Sequence, residues 1–551
     1  MKEWDKSKEL ISEGYRILDK EVAVTIPGPC MPAFSPDEDT GIGSPYGRGA
    51  KRFLDFFNSV FHKILLGPTG KTFPPFYSPY ESTYGENPFY IPLQKLTTEE
   101  GGHLLSLATL EEIYKTPSNP VDISFPVVGR LYEKALSEAW HTYEKRLAEN
   151  DKFALNLQKE INAFQQERPY LAVDADFYAP FSPQRHIFEA YLAYRAAQNE
   201  QAPSIADLEV KIPDSMVIAQ PHLFIKEFTL GSPPDAFADY SRDWNFKVFN
   251  PDFLFNPDGS LGPAGQFMYK LFDAMFKTYK GGIRIDHYIG FVNPYLVSHQ
   301  KGIPNGRLYS SPENPLLKKY TKHTTEAFAE ITEKIILKAM RANNATVEQI
   351  YPEDLGNRPE QMNPVMDLCG LGHMLVSQFV NIWDPNHMYR LKNARPIDMA
   401  VLDTHDTPTT LEFYETMNQE NRVRHAMQLA EDLRFYYSPS LSSPQALVRM
   451  KWGELLACPA RRVQAFFTSL TGQPGRYNEP GNPKKWRLRC TPNFEKLYFE
   501  NLIKGTAYNP LDAIALAIYA RGDDFFTQHR EFVDHLRRQE QALMTEIQNQ
   551  I

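Results

Sequence analysis

From about residue 206 the chain alternates short apolar runs with helical patterns. "GGIRID", "TEAFAEITEKIILKAMRANN", "VEQIYPEDLG" and "MAVLDTHD" follow one another in that order. Parallel strands need a crossover between them, usually a helix, so this alternation predicts a parallel α/β sheet or barrel. Three of the strand-like runs end in an acid: Asp286 closes "GGIRID", Glu353 closes "EQIYPE" and Asp406 follows "MAVLDTH". In a (β/α)8 barrel the carboxyl ends of all strands open on one rim, where catalytic groups sit. Three acids at three strand ends are therefore expected in one pocket.

The run "GGIRIDHYIG" (281–290) carries a second constraint. Alternate side chains of a strand point to opposite faces, so Arg284 and Asp286 share a face opposite Ile283 and Ile285. Charges there are costly to bury unless they are paired or used. The pattern fits a structural ion pair and also half of an active site.

The rest of the chain frames this core. Residues 1–40 read as an N-terminal extension, one short helix followed by turn-rich "TIPGPCMPAFSPDEDTG". Residues 41–551 are expected to form the catalytic barrel, interrupted at about 95–205 by a helical insertion whose pattern "VGRLYEKALSEAWHTYEKRLAEN" is amphipathic. The segment "FPPFYSPYESTYGENPFYIPL" is rich in Pro, Tyr and Ser, which rules out a long helix and suits a polar, aromatic binding loop. A net charge of −9 argues against a nucleic-acid partner. Neither a run of about 18 apolar residues nor an apolar signal core is present, so no membrane span or Sec-type leader is expected. Cys30, Cys369, Cys458 and Cys490 are scattered, which fits reduced thiols in a cytoplasmic protein better than a disulfide framework or zinc site.

Three clustered carboxyl groups suit glycoside cleavage. One acid protonates the leaving oxygen, a second carboxylate attacks or activates water, and a third stabilises the oxocarbenium-like transition state. Arg284 beside Asp286 is expected to hold that carboxylate ionised, and the ionised neighbour to raise the pKa of Glu353. His287 and His405 flank two of the acids and offer donors to sugar hydroxyls. The competing chemistry, divalent-metal binding, is weakened because no DxD or HxxxH cluster surrounds the acids. No metal and no cofactor is expected.

The ordered strings "RIDHYIGF" (284–291), "PEDLG" (352–356) and "DTHDTPT" (403–409) resemble the RIDHFRGF, AEDLG and GTHDNDT hallmarks of the amylomaltases, the 4-α-glucanotransferases of glycoside hydrolase family 77. "SPYESTYGENPFYI", "GSPPDAFADYSRDWN" and "YNEPGNPKKWRLR" resemble further segments of that family. The resemblance implies a (β/α)8 barrel with helical subdomains around the cleft and no separate C-terminal β domain. It implies Asp286 as nucleophile, Glu353 as acid/base and Asp406 as the stabilising carboxylate. It also implies substrate contacts from Tyr80, Asp214, Phe237, Trp244, Arg284, His287, His405 and Trp486. The implied reaction is retaining transfer of α-1,4-glucan segments between malto-oligosaccharides, with glucose as a further acceptor. A hydrolase of the amylase type and a non-catalytic glucan-binding protein are the alternatives.

The sequence departs from the family at Ile289, where the hallmark has Arg, and at Thr407-Pro408, where it has Asn-Asp. "ADLEVKIPDSMVIAQPHLF" (206–224) stands where the family has a GDLPIxVAxDSADVW-like stretch and keeps Asp214 and Ser215. These changes are expected around the active site, where they would alter acceptor or chain-length preference.

Overall fold

The computed structural model describes residues 1–75, 77–198, 203–234, 239–479, 482 and 485–550. Eight strands, β1 (Glu21–Thr25), β2 (Lys63–Leu65), β3 (Ser204–Leu208), β4 (Gly282–Ile285), β5 (Ile350–Pro352), β6 (Met374–Val376), β7 (Met399–Val401) and β8 (Arg462–Phe466), form one sheet. Its order is β6-β7-β8-β1-β2-β3-β4-β5 and every pair is parallel. Strands that are neighbours in sequence are thus neighbours in space, the topology of a (β/α)8 barrel.

Strands β5 and β6 do not pair with one another among the described residues. Asp354, the second residue after β5, bridges that seam. Its carboxylate accepts from the backbone N–H of Met374 at 3.0 Å and lies 2.6 Å from His373 Nδ1. Arg358 Nη2 lies 2.9 Å from the same carboxylate, so the bridging charge is paired although its side chain is buried.

Strand β1 lies inside the segment expected to be an N-terminal extension, and that expectation is corrected on this point. "EVAVT" is four-fifths buried and pairs with both β8 and β2. Its shortness, and the turn-rich "IPGPC" that follows, hide it from pattern reading. The helix before it, Lys2–Leu18, buries Trp4, Ile11, Tyr15 and Leu18 and packs beside the C-terminal helices Pro510–Ala520 and Arg530–Gln550.

Between β2 and β3 the longer helices of the described chain are Leu107–Tyr114, Phe125–Ala148, Lys152–Glu167, Tyr170–Tyr178 and Pro183–Ala197. Their apolar stripes meet in a core of their own that includes Ile113, Val128, Leu136, Leu157 and Phe188. A small antiparallel sheet, in the order Arg242–Phe246, Phe228–Ser232, Tyr295–Ser298 and Gly306–Arg307, is built from the loops after β3 and β4. After β8 every element of the described chain is a helix, with a loop from 472 to 493 between the first two. The start of β4 depends on glycine: Gly282 has φ +120°, and a Cβ there would stand 2.2 Å from the Gln349 carbonyl oxygen.

Candidate active site

The site is built on three adjacent strand ends. In register, Asp207 of β3 lies beside Arg284 of β4, which lies beside Tyr351 of β5. The backbone ladder continues one step past the strands: Asp286 N–H donates to Leu208 O at 3.0 Å, and Glu353 N–H donates to Ile285 O at 2.9 Å. Asp286 and Glu353 thereby emerge side by side at the carboxyl end of the barrel.

Arg284 organises the acids. Its Nη1 donates to both oxygens of Asp207, at 2.6 and 2.7 Å, and reaches Asp286 Oδ1 at 3.3 Å. Its Nη2 lies 3.1 Å from Glu353 Oε1. The guanidinium and the Asp207 carboxylate are both buried. One planar cation therefore touches three carboxyl groups, which a lysine ammonium has no geometry to do.

Asp286 and Glu353 are hydrogen-bonded to one another. Burial raises both pKa values, and the Glu353 charge raises that of Asp286 further, so Asp286 lies well above the ordinary carboxylate range. For Glu353 burial is outweighed by Arg284 and by the His287 backbone N–H, which donates to Oε2 at 2.9 Å, and its pKa is lowered. These directions are opposite to the expectation of a raised Glu353 and an ionised Asp286. Glu353 has two close donors and Asp286 one long one, which favours the carboxylate form at Glu353.

Asp406 forms a second arm. Its carboxylate accepts from Asn478 Nδ2 at 2.5 Å and lies 3.1 Å from His405 Nε2, and its side chain is 46% exposed. Burial raises its pKa, but His405, Asn478 and Arg284 together pull it down to about 2. Tyr80 joins the two arms. Its hydroxyl donates to Asp207 Oδ2 at 2.9 Å, while its ring stacks on His405 with centroids 5.1 Å apart and leans on Trp486 at 5.6 Å.

The remaining expected residues fall at different depths. His287 follows Asp286 with φ +44° and meets the Trp244 ring edge-on at 4.6 Å. Burial lowers its pKa to about 4, which leaves a neutral imidazole at pH 7. Trp486 is buried with φ +68°, and its indole N–H has no partner among the described residues. Such backbone conformations are strained for bulky side chains, and two of them here flank the acid cluster. Asp214 stands apart, 60% exposed at the start of helix Asp214–Ala219 with Lys211 Nζ at 3.5 Å. Phe237 lies outside the described residues. No group of three or more His, Cys, Asp or Glu is arranged to hold a metal ion among the described residues, and no described helix is long and apolar enough to cross a membrane.

The departures at Ile289 and at Thr407-Pro408 have structural roles. Ile289 is 2% exposed and packs in the core with Phe272, Val292 and Ile335, not in the pocket as expected. Thr407 closes the turn before it, its Oγ1 accepting from Thr404 N–H at 3.0 Å, and Pro408 presents its carbonyl to Gln378 at 2.9 Å. Sequence reading missed Asp207 and Asn478. "SIADLEV" held the signal for Asp207, an acid inside an apolar strand with another two positions on.

With this geometry in hand, comparison with known proteins is informative. The family model of glycoside hydrolase family 77, described as 4-alpha-glucanotransferase, matches residues 184–494, more than half of the chain. Among solved structures, an amylomaltase from Streptococcus agalactiae in complex with acarbose aligns with TM-score 0.67 and 18% identity, covering 89% of this chain and 100% of that one. An amylomaltase from Corynebacterium glutamicum aligns with TM-score 0.62 and 15% identity, covering 93% of this chain and 77% of that one. At these identities the alignments speak for the fold. No curated protein sequence matches.

Proposed function

The chain belongs to glycoside hydrolase family 77, the 4-alpha-glucanotransferases, and from that premise we propose that it transfers α-1,4-glucan segments between malto-oligosaccharides by a retaining double displacement. The observation that carries the mechanism is the single guanidinium of Arg284 reaching both Asp286 and Glu353. Asp286 attacks the anomeric carbon and its bond to that carbon replaces the glycosidic bond. Glu353 gives its proton to the departing oxygen. Glu353, now a base, takes the proton of an acceptor hydroxyl, whose oxygen displaces Asp286 with the configuration at the anomeric carbon restored.

The surroundings of the pair favour the acid form at Asp286 and the carboxylate at Glu353, so bound substrate has to shift the pair's proton to Glu353 before attack. A glycosidic oxygen beside Glu353 favours the acid form there, and an anomeric carbon beside Asp286 favours the carboxylate. Asp406 stays anionic throughout, because its pKa is about 2, and an anion stabilises the positive charge that develops on the sugar ring.

The substrate roles follow the same logic. The stacked rings of Tyr80 and His405, with Trp486 tilted against both, offer aromatic faces at the cleaved sugar. Trp244 and the neutral His287 offer a face and a hydrogen-bonding group on the acceptor side. Asp214 and Phe237 are assigned to substrate binding from the family resemblance alone. Acceptor sugar must outcompete bulk water, and positioning supplies that advantage through effective molarities on the order of 10⁵ M or more. Cytoplasmic metabolism of α-glucan is the setting we propose, in keeping with four buried, unpaired cysteines.

The test is incubation with maltotriose in the presence of a chelator, followed by size separation. Glucose together with sugars longer than the substrate is the expected product set, and Asp286→Ala should abolish it. Glucose and maltose alone would move the reading to a hydrolase, and an unchanged substrate to a binding protein.

A further inference from the structure

Tyr80, Ser82 and Tyr84 each bond a partner 127 residues further along the chain. Tyr80 Oη donates to Asp207 at 2.9 Å, Ser82 Oγ to Glu209 Oε1 at 2.8 Å, and Tyr84 Oη to the Lys211 carbonyl at 3.5 Å. The constant offset means that every second residue of the 80–84 loop docks on every second residue of β3 and its extension. Among the described residues the loop has no backbone pairing to β3, so these side-chain rungs do the work of a strand pair.

Resting on the glucanotransferase reading above, we propose that Glu209 is a positioning residue: it anchors Ser82 and so seats Tyr80 against Asp207 and His405 at the cleaved sugar. Ser82 and Glu209 are both buried, which makes their bond dry and its loss costly. Glu209 shares its surroundings with Asp207, Asp174 and Tyr84, and across the same small cavity with Glu86 and Arg168. Lys211 Nζ turns away, toward Glu81 and Asp214. Burial pushes the Glu209 carboxyl up to about 8, so at neutral pH the anchor is an uncharged acid, for which glutamine is a close mimic.

The experiment compares kcat and KM on maltotriose for Glu209→Gln, Glu209→Ala, Ser82→Ala, Tyr80→Ala and the double variant Tyr80→Ala/Glu209→Ala. Glu209→Gln should stay within about twofold of the parent, while Glu209→Ala and Ser82→Ala lower kcat by about tenfold or more and move KM much less. The double variant should be no worse than Tyr80→Ala within about twofold, because the two changes remove one effect. Ser82→Ala deletes only a hydroxyl and keeps the question open to refutation if Glu209→Ala does not fold. Unchanged kcat in Ser82→Ala, failure of Glu209→Gln to restore activity, or additive losses in the double variant would overturn the proposal. Transfer that survives Asp286→Ala would instead overturn the nucleophile assignment, a separate readout.

Discussion

Arg284 Nη2 lies 3.1 Å from Glu353 Oε1, and this contact favours the carboxylate form of Glu353 within the acid pair. The productive free enzyme then carries one proton on the pair. Below the lowered pKa of Glu353 the pair holds two protons, and above the raised pKa of Asp286 it holds none. The profile of kcat/KM against pH should therefore be bell-shaped, with its acid limb below and its alkaline limb well above the ordinary carboxylate range near 4. Arg284→Lys keeps a charge but loses the fork, so kcat/KM should fall by about 10³ and the acid limb should move up. A single-limbed profile in the parent protein would count against the shared proton.

The Tyr80 hydroxyl and the Tyr80 ring do separable things. Tyr80→Phe removes the 2.9 Å bond to Asp207 and keeps the stack on His405. One buried hydrogen bond to a charged group contributes about 1.5–3 kcal/mol, so kcat/KM should fall between about tenfold and a hundredfold. Tyr80→Ala removes the stack as well and should lose at least about tenfold more. Equal losses in the two variants would show that the ring contributes nothing to the site.

How far the sequence exposed this arrangement depended on whether a feature was local. Asp286 and Glu353 were legible because each directly follows a short apolar strand, and strand parity alone put Arg284 on the Asp286 face. Asp207 was harder, since its partners Tyr80 and Arg284 lie 127 and 77 residues away. The opposite shifts of the two acids were not legible at all. They depend on the His287 backbone N–H, which donates to Glu353, 66 residues further along the chain. Strand β1 was obscured by length, five residues before a Pro-rich turn.

Ile289 tests whether a family hallmark is transferable. It is 2% exposed among Phe272, Val292 and Ile335, so the arginine of the resembling string would enter an apolar core without a partner. Ile289→Arg should lower stability by about 3 kcal/mol or more and should not raise transfer activity. Thermal unfolding together with the maltotriose assay checks both parts. A stable variant with higher activity would mean that the 289–292 turn reorients to reach the cleft.

Glu86 should make stability fall as pH rises. Its Oε1 accepts from Tyr279 at 2.6 Å, while Oε2 is buried without a hydrogen-bond partner among the described residues, and burial lifts its pKa to about 7. In the unfolded chain the same group titrates near 4.3. Between those values the unfolded state has lost the proton and the folded state keeps it. The unfolded state thus binds fewer protons, and stability declines with rising pH across about 4 to 7. Below that window the penalty is absent, and above it the penalty is complete at about 2–4 kcal/mol. Glu86→Gln keeps an acceptor for Tyr279 and cannot ionise. Its unfolding temperature should match the parent at pH 4.5 and exceed it at pH 8. A constant difference between variant and parent at the two pH values would show that Glu86 is ionised in the folded protein, with a cation supplied by a neighbour such as Arg168.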